Sequence, residues 1–323
     1  MKKLLVVGHS MADPMFFNTR VLQKENELDN YHFAEVLGKA AGIEDIEVCA
    51  VAGAGNEWIS SALITKLPYI DKDTLVVVIW GFTDRVDMLI TPDHKDIQNE
   101  INTCIDEQYD YLKFNRTFDF HGNQTEKGMR YWMTAHYLFG PKIKMKPLLT
   151  QGTRLKDFFE TVSLSQRLLE ETGAKQVHFL PLDAEHFTFK GLVQEITEMY
   201  MTGDKVPLYK VVNFTKAYQN FYEEHPEMLA WKKLVKWDLF SENLFDFCQR
   251  HQLPYICIDK FNNFHQPPIN NYIYIKKAIL EKLGLPCADI LDEIKAATEA
   301  HCKKYNSIYT WNEEKIYNLI HSA

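Results

Sequence analysis

The sequence predicts an α/β protein: a three-layer α/β/α sandwich around a flavodoxin-like parallel sheet of about five strands, with helical insertions and a helical C-terminal extension. Two features carry that prediction. Strand-like and helix-like segments alternate through roughly the first 80 residues, the pattern of βαβ crossovers. The strand candidates are unalternating apolar runs, Leu4-Leu5-Val6-Val7 and Leu75-Val76-Val77-Val78-Ile79-Trp80, as expected of strands buried on both faces of a parallel sheet.

In chain order, the first strand ends in Gly8-His9-Ser10 and is followed by an irregular stretch, 11–30, broken at Asp13-Pro14. Residues 31–42 have apolar positions at helical spacing and stop at Gly42, as a helix C-cap would. Residues 47–52 suit a second buried strand, followed by Gly53-Ala54-Gly55-Asn56 and a helix through Leu67. The third strand, 74–80, runs into Gly81-Phe82-Thr83-Asp84-Arg85. Residues 95–150, rich in Asp, Asn, Tyr and Phe, read as a helical insertion. A helix over 155–172 capped by Gly173 and a strand over 176–182 restore the regular pattern. A second helical insertion spans 183–235 and has its own concentration of aromatic residues. A helix over 241–251, a fifth strand over 253–258 and a loop over 259–268 follow, and 271–323 reads as C-terminal helices.

The chain has 323 residues, long for a minimal domain but suited to a single α/β domain, 1–323, carrying insertions. Its formal net charge of -8 argues against a broad nucleic-acid surface, because phosphate binding relies on clustered Lys and Arg. The nearest basic run, Lys142 to Lys146, reads as a solvated loop. The apolar stretch before Gly8 spans only about four residues, far too short to cross a bilayer or form a signal-peptide core. No membrane partner and a cytoplasmic location are therefore expected. The 6 cysteines are scattered with no Cys-x-x-Cys, which favours reduced thiols over disulfides or zinc ligands.

Cofactor chemistry finds little support. Gly53-Ala54-Gly55 lacks the third glycine of a dinucleotide turn, and the chain has neither a Gly-x-x-x-x-Gly-Lys phosphate loop nor a Gly-x-Ser-x-Gly elbow. Asp183-Ala184-Glu185-His186 has no second cluster to complete a metal site. Neither cofactor nor metal is expected.

Ligands of an open parallel sheet gather at the carboxyl ends of its strands. The suggestive residues lie at such ends: Ser10, Gly53 to Asn56, Gly81 to Arg85, and His265. A serine hydroxyl becomes an effective nucleophile when an imidazole accepts its proton, and that imidazole can then protonate the leaving group. Taken singly, a serine after a strand is more often a helix N-cap, and His265 a hydrogen-bonded loop histidine. Their order along the chain is what points to a site.

The arrangement resembles the SGNH/GDSL hydrolase family, in which a Gly-Asp-Ser block, a glycine, an asparagine and an Asp-x-x-His block occupy these positions. The corresponding residues here are Gly8-His9-Ser10, Gly53, Gly81-Phe82-Thr83-Asp84, and Asn262-Asn263-Phe264-His265. The resemblance covers most of the core, 1–90 and 150–280, and leaves out the insertions and C-terminal helices. It implies a serine esterase with Ser10 as nucleophile and His265 as base then acid, oriented by Asn262 or Asp259. The implied oxyanion donors are the N–H groups of Ser10 and Gly53 with a side chain, Thr83 or Asn56. His9, Phe82, Asp84 and Arg85 are assigned to substrate contact, Asp84-Arg85 reading as an ion pair beside the turn.

Three departures stand out. His9 replaces the family's aspartate, Thr83 its asparagine, and Asn262 the aspartate three residues before the histidine. An amide can orient a histidine but cannot stabilise the imidazolium, a loss that costs a serine protease about 10⁴ in rate. The implied substrate is an ester on a small molecule or glycan, an O-acetyl group being one such ester. The alternatives are acyl transfer, and a non-catalytic module that binds a glycan, a nucleotide or a protein. Oligomeric state is left open.

Overall fold

The computed structural model describes residues 1–9, 12, 31–51, 54–81, 86–90, 116–123, 125, 129–134, 151–180, 226–242, 244–253, 256–257, 264–265, 267–304 and 312–321. Strand β1 (Lys3–Gly8) leads to helix α1 (Phe33–Ala41), β2 (Asp45–Ala50), α2 (Asn56–Lys66) and β3 (Thr74–Ile79). Next come β4 (Val86–Ile90), β5 (Arg116–Phe118) and β6 (Arg130–Thr134), then α3 (Gln151–Thr172) and β7 (Lys175–Phe179). Among the described residues, the α-helices and strands that follow are α4 (Met228–Lys232), α5 (Leu244–Arg250), β8 (Ile256–Cys257), β9 (Phe264–His265), α6 (Pro268–Tyr274), which continues as a π-helix over Ile275–Leu280, α7 (Leu291–Lys304) and α8 (Glu313–His321).

The central sheet is parallel with strand order β2-β1-β3-β7, so each crossover carries helix to one face or the other. Every residue of β3 is buried, which accounts for its unalternating apolar run. Leu4, Val6, Leu75, Val77, Val177 and Phe179 face a core shared with α1, α5 and the C-terminal helices. Leu5, Val7, Val76, Val78 and Trp80 face a second core built with Trp58, Ile59 and Leu63 of α2 and Phe158, Phe159 and Val162 of α3. Helices thus cover both faces, giving the three-layer α/β/α fold. Ion pairs lie outside these cores: Glu47 meets Lys3 at 2.9 Å and Lys66 at 2.5 Å, and each such partly exposed contact is worth about 0–1 kcal/mol.

The helix expected to stop at Gly42 does so, with φ 67° there and the Gly42 N–H directed at the Gly38 and Lys39 carbonyls. Two segments differ from expectation. Ile256–Cys257 does not extend the parallel sheet; it pairs antiparallel with Phe264–His265, so the central sheet has four strands among the described residues. A short apolar run indicates a strand but not its partner. Within 95–150, where helix was expected, Arg116–Phe118 and Arg130–Thr134 are strands that join β4 in a three-stranded antiparallel sheet, order β4-β6-β5. Tyr131, Trp132 and Thr134 are strong strand formers, and that preference prevails here. Of the second insertion, 183–225 lies outside the described residues, and Met228–Lys232 is a short helix.

Candidate functional site

Strands β1, β2 and β3 end level with one another. Gly8 is paired with Ala50 on one side and Ile79 on the other, and the Val51 N–H donates to the Gly8 carbonyl at 3.1 Å. The chain therefore leaves the sheet from three adjacent strand ends at His9, Val51 and Trp80. Ser10, Gly53, Phe82, Thr83, Asp84 and Arg85, which follow these ends in sequence, lie outside the described residues, as do Asp259 and Asn262. The backbone of His265 is described, opposite Ile256 in the β8-β9 pair.

Two of the expected site residues are fully described. His9 is buried, 1% exposed, and its carbonyl accepts from the Ala12 N–H at 2.8 Å. Its ring is packed into the protein, not presented at the surface. Asn56 opens α2 and is also buried; its Oδ1 accepts from the Gly81 N–H at 2.8 Å. Because a backbone N–H can only donate, this bond fixes the amide orientation and assigns Nδ2 as the group's remaining donor. It also ties the turn after β2 to the turn after β3. Gly81 is required at that junction, since a Cβ there would lie 2.7 Å from the Ala54 carbonyl oxygen.

A residue not singled out from the sequence completes this scaffold. Asp87, in β4, is buried, and its two carboxylate oxygens accept from the backbone N–H groups of Gly55 and Trp58, each at 3.0 Å. The available signal was the residue itself: one carboxylate inside the apolar run Val86-Asp87-Met88-Leu89-Ile90 must find donors if it is buried.

The turn after β5 closes one side of the same region. The Asp119 carboxylate accepts from the backbone N–H groups of His121 and Asn123 and from Asn123 Nδ2, while its carbonyl accepts from Trp58 Nε1 at 2.9 Å. Burial pushes the Asp119 carboxyl upward, but these hydrogen bonds outweigh it and hold the group below its usual value. Gly122 in that turn sits against Val51 and Trp58, so the antiparallel sheet is docked at the carboxyl end of β2.

His178, near the end of β7, is a histidine whose geometry argues against a role as base. Trp80 Nε1 donates to its Nδ1 at 3.1 Å, leaving Nε2–H to donate to Gln176 Oε1 at 2.8 Å. Both ring nitrogens are committed, the ring is fully buried, and burial lowers its pKa to about 3. On helix α6, Asn271 Oδ1 is a buried acceptor with no hydrogen-bond partner among the described residues. Among the described residues, no group of three or more His, Cys, Asp or Glu side chains is placed to hold a metal ion, and no helix is long and apolar enough to cross a membrane.

No protein-family model and no curated protein matches this chain. Among known structures, the chain is similar to the crystal structure of protein YxiM from Bacillus subtilis, with a TM-score of 0.31 and 10% sequence identity. That match covers 96% of this chain and spans 58% of the YxiM chain. A likeness of that size leaves the functional argument to the residues themselves.

Proposed function

We propose that this protein is a serine hydrolase of esterase type. The Ser10 hydroxyl oxygen bonds to the acyl carbon of an ester while His265 accepts the hydroxyl proton. The carbon–alkoxy bond then breaks, and His265 returns that proton to the leaving oxygen. Water, deprotonated by the same imidazole, attacks the acyl-enzyme and releases the acid and Ser10. The oxyanion donors in this reading are the N–H groups of Ser10 and Gly53 with Asn56 or Thr83, and Asn262 or Asp259 orients the histidine. The substrate is an ester of a small molecule or glycan, with the aromatic-rich insertions as its walls.

The observation that carries the reading is the level ending of β1, β2 and β3 with the Asn56–Gly81 bond across two of the turns. Oxyanion stabilisation requires donors fixed before the reaction, and a hydrogen bond between neighbouring strand ends supports that reading. The rival reading, a binding module without turnover, is favoured by one residue: Asn262, where a carboxylate would serve catalysis.

The test is hydrolysis of p-nitrophenyl acetate by the full chain. Turnover should fall to background in Ser10→Ala and in His265→Ala, a loss of about 10³-fold or more. Asn262→Asp should raise kcat if Asn262 holds the orienting position, whereas loss of activity in Asp259→Asn would assign that role to Asp259. Turnover unchanged in Ser10→Ala contradicts the hydrolase reading.

A further inference from the structure

We infer that Asp87 is a positioning residue of this site, a carboxylate that clamps the start of α2 around Asn56; its use in catalysis rests on the hydrolase reading above. Helix α2 begins with Gly55 as its N-cap, a residue with no side chain to satisfy the first-turn N–H groups. Asp87 supplies what is missing from another strand. One oxygen takes the N–H of the cap residue Gly55 and the other that of Trp58, three residues on, both at 3.0 Å. These are the two donors that a capping box satisfies with two side chains of its own helix. Here a single remote carboxylate serves both.

Gly55 is shaped for this. A Cβ on it would lie 2.7 Å from Asp87 Oδ2 and 3.0 Å from Oδ1, so the carboxylate occupies the space a side chain would take. A buried carboxylate is costly unless it is hydrogen-bonded, and Asp87 meets two backbone donors at the positive end of a helix dipole. Charge-assisted bonds of this kind are roughly twice as strong as neutral ones. The fixed loop then passes its position on, because the next residue, Asn56, holds the Gly81 N–H. Asp87 thus links β4, the start of α2 and the turn after β3.

An ordinary N-cap side chain would suffice to start a helix. A clamp from β4 does more, because it fixes the loop relative to the neighbouring strand ends. Oxyanion donors act only in the transition state, and displacement by about 0.5 Å degrades them. Loss of the clamp should therefore lower kcat and leave KM nearly unchanged.

The experiment compares wild type, Asp87→Asn and Asp87→Glu as full-length proteins. In Asp87→Asn, amide hydrogen exchange at Gly55 and Trp58 should accelerate by about tenfold or more while Val76, Val77 and Val78 in β3 keep their protection. With p-nitrophenyl acetate, kcat should fall by about 10- to 100-fold with KM within about threefold, and Asp87→Glu should recover part of the loss. Unchanged exchange at Gly55 and Trp58 overturns the clamp. A kcat that falls only in proportion to the folded fraction overturns its catalytic use. Selective exchange in a protein whose wild type shows no turnover upholds the clamp and removes the hydrolase reading instead.

Discussion

Trp80 and Gln176 between them occupy both nitrogens of His178, and the Trp80 and His178 rings lie side by side and nearly coplanar, with ring centres 6.0 Å apart and planes within 8°. Burial of the ring, with the Lys282 charge adding to it, drives the folded-state pKa down to about 3. An unfolded histidine titrates near pH 6.5, so between that value and about 3 the unfolded chain binds more protons than the folded one. Stability from this group is complete above about pH 6.5 and is lost as pH falls, by up to about 1.4 kcal/mol per pH unit within the window. Urea unfolding of wild type and His178→Gln between pH 7 and about 4 should show a shallower pH slope for the variant; equal slopes would exclude His178 as the source.

Single residues also show how far a sequence can be read. Ser10 and His265 stand out because their chemistry resides in side chains whose identity is written in the chain. Asp87 is harder to assign, because its partners, the Gly55 and Trp58 N–H groups, are donors that any non-proline residue offers. The tie from Asn56 to the Gly81 N–H is hidden for the same reason.

Among the elements, the parallel strands and their covering helices were legible because burial on both faces leaves an unbroken apolar signature. The β4-β6-β5 sheet was not, since pairing partners distant in sequence leave no local mark on short strands. The Ile256–Cys257 strand illustrates the same gap: its strand character was readable, its antiparallel partner was not. The turns after β2 and β3 give an element-level test, because they pack backbone against backbone. Gly81→Ala should destabilise the protein by about 1–3 kcal/mol, since neither a Cβ at that position nor the Ala54 carbonyl can move without shifting a turn. A thermal unfolding midpoint equal to wild type would show that the turns separate freely.

At the scale of the molecule, the two cores make the sheet a rigid base with its three level strand ends at one edge, and Asp87 and Asp119 fasten the antiparallel sheet beside that edge. Stability and site are therefore drawn from the same strands: their middles fill the cores, and their carboxyl ends carry the turns. The hydrolase proposal makes Ser10, which follows β1 in sequence, an activated nucleophile. Its most direct test is to treat the full chain with a fluorophosphonate and map the adduct by mass spectrometry. One adduct is expected, on Ser10, absent in Ser10→Ala and strongly slowed in His265→Ala. A wild-type protein that takes up no label, or takes it up on another residue, would contradict it.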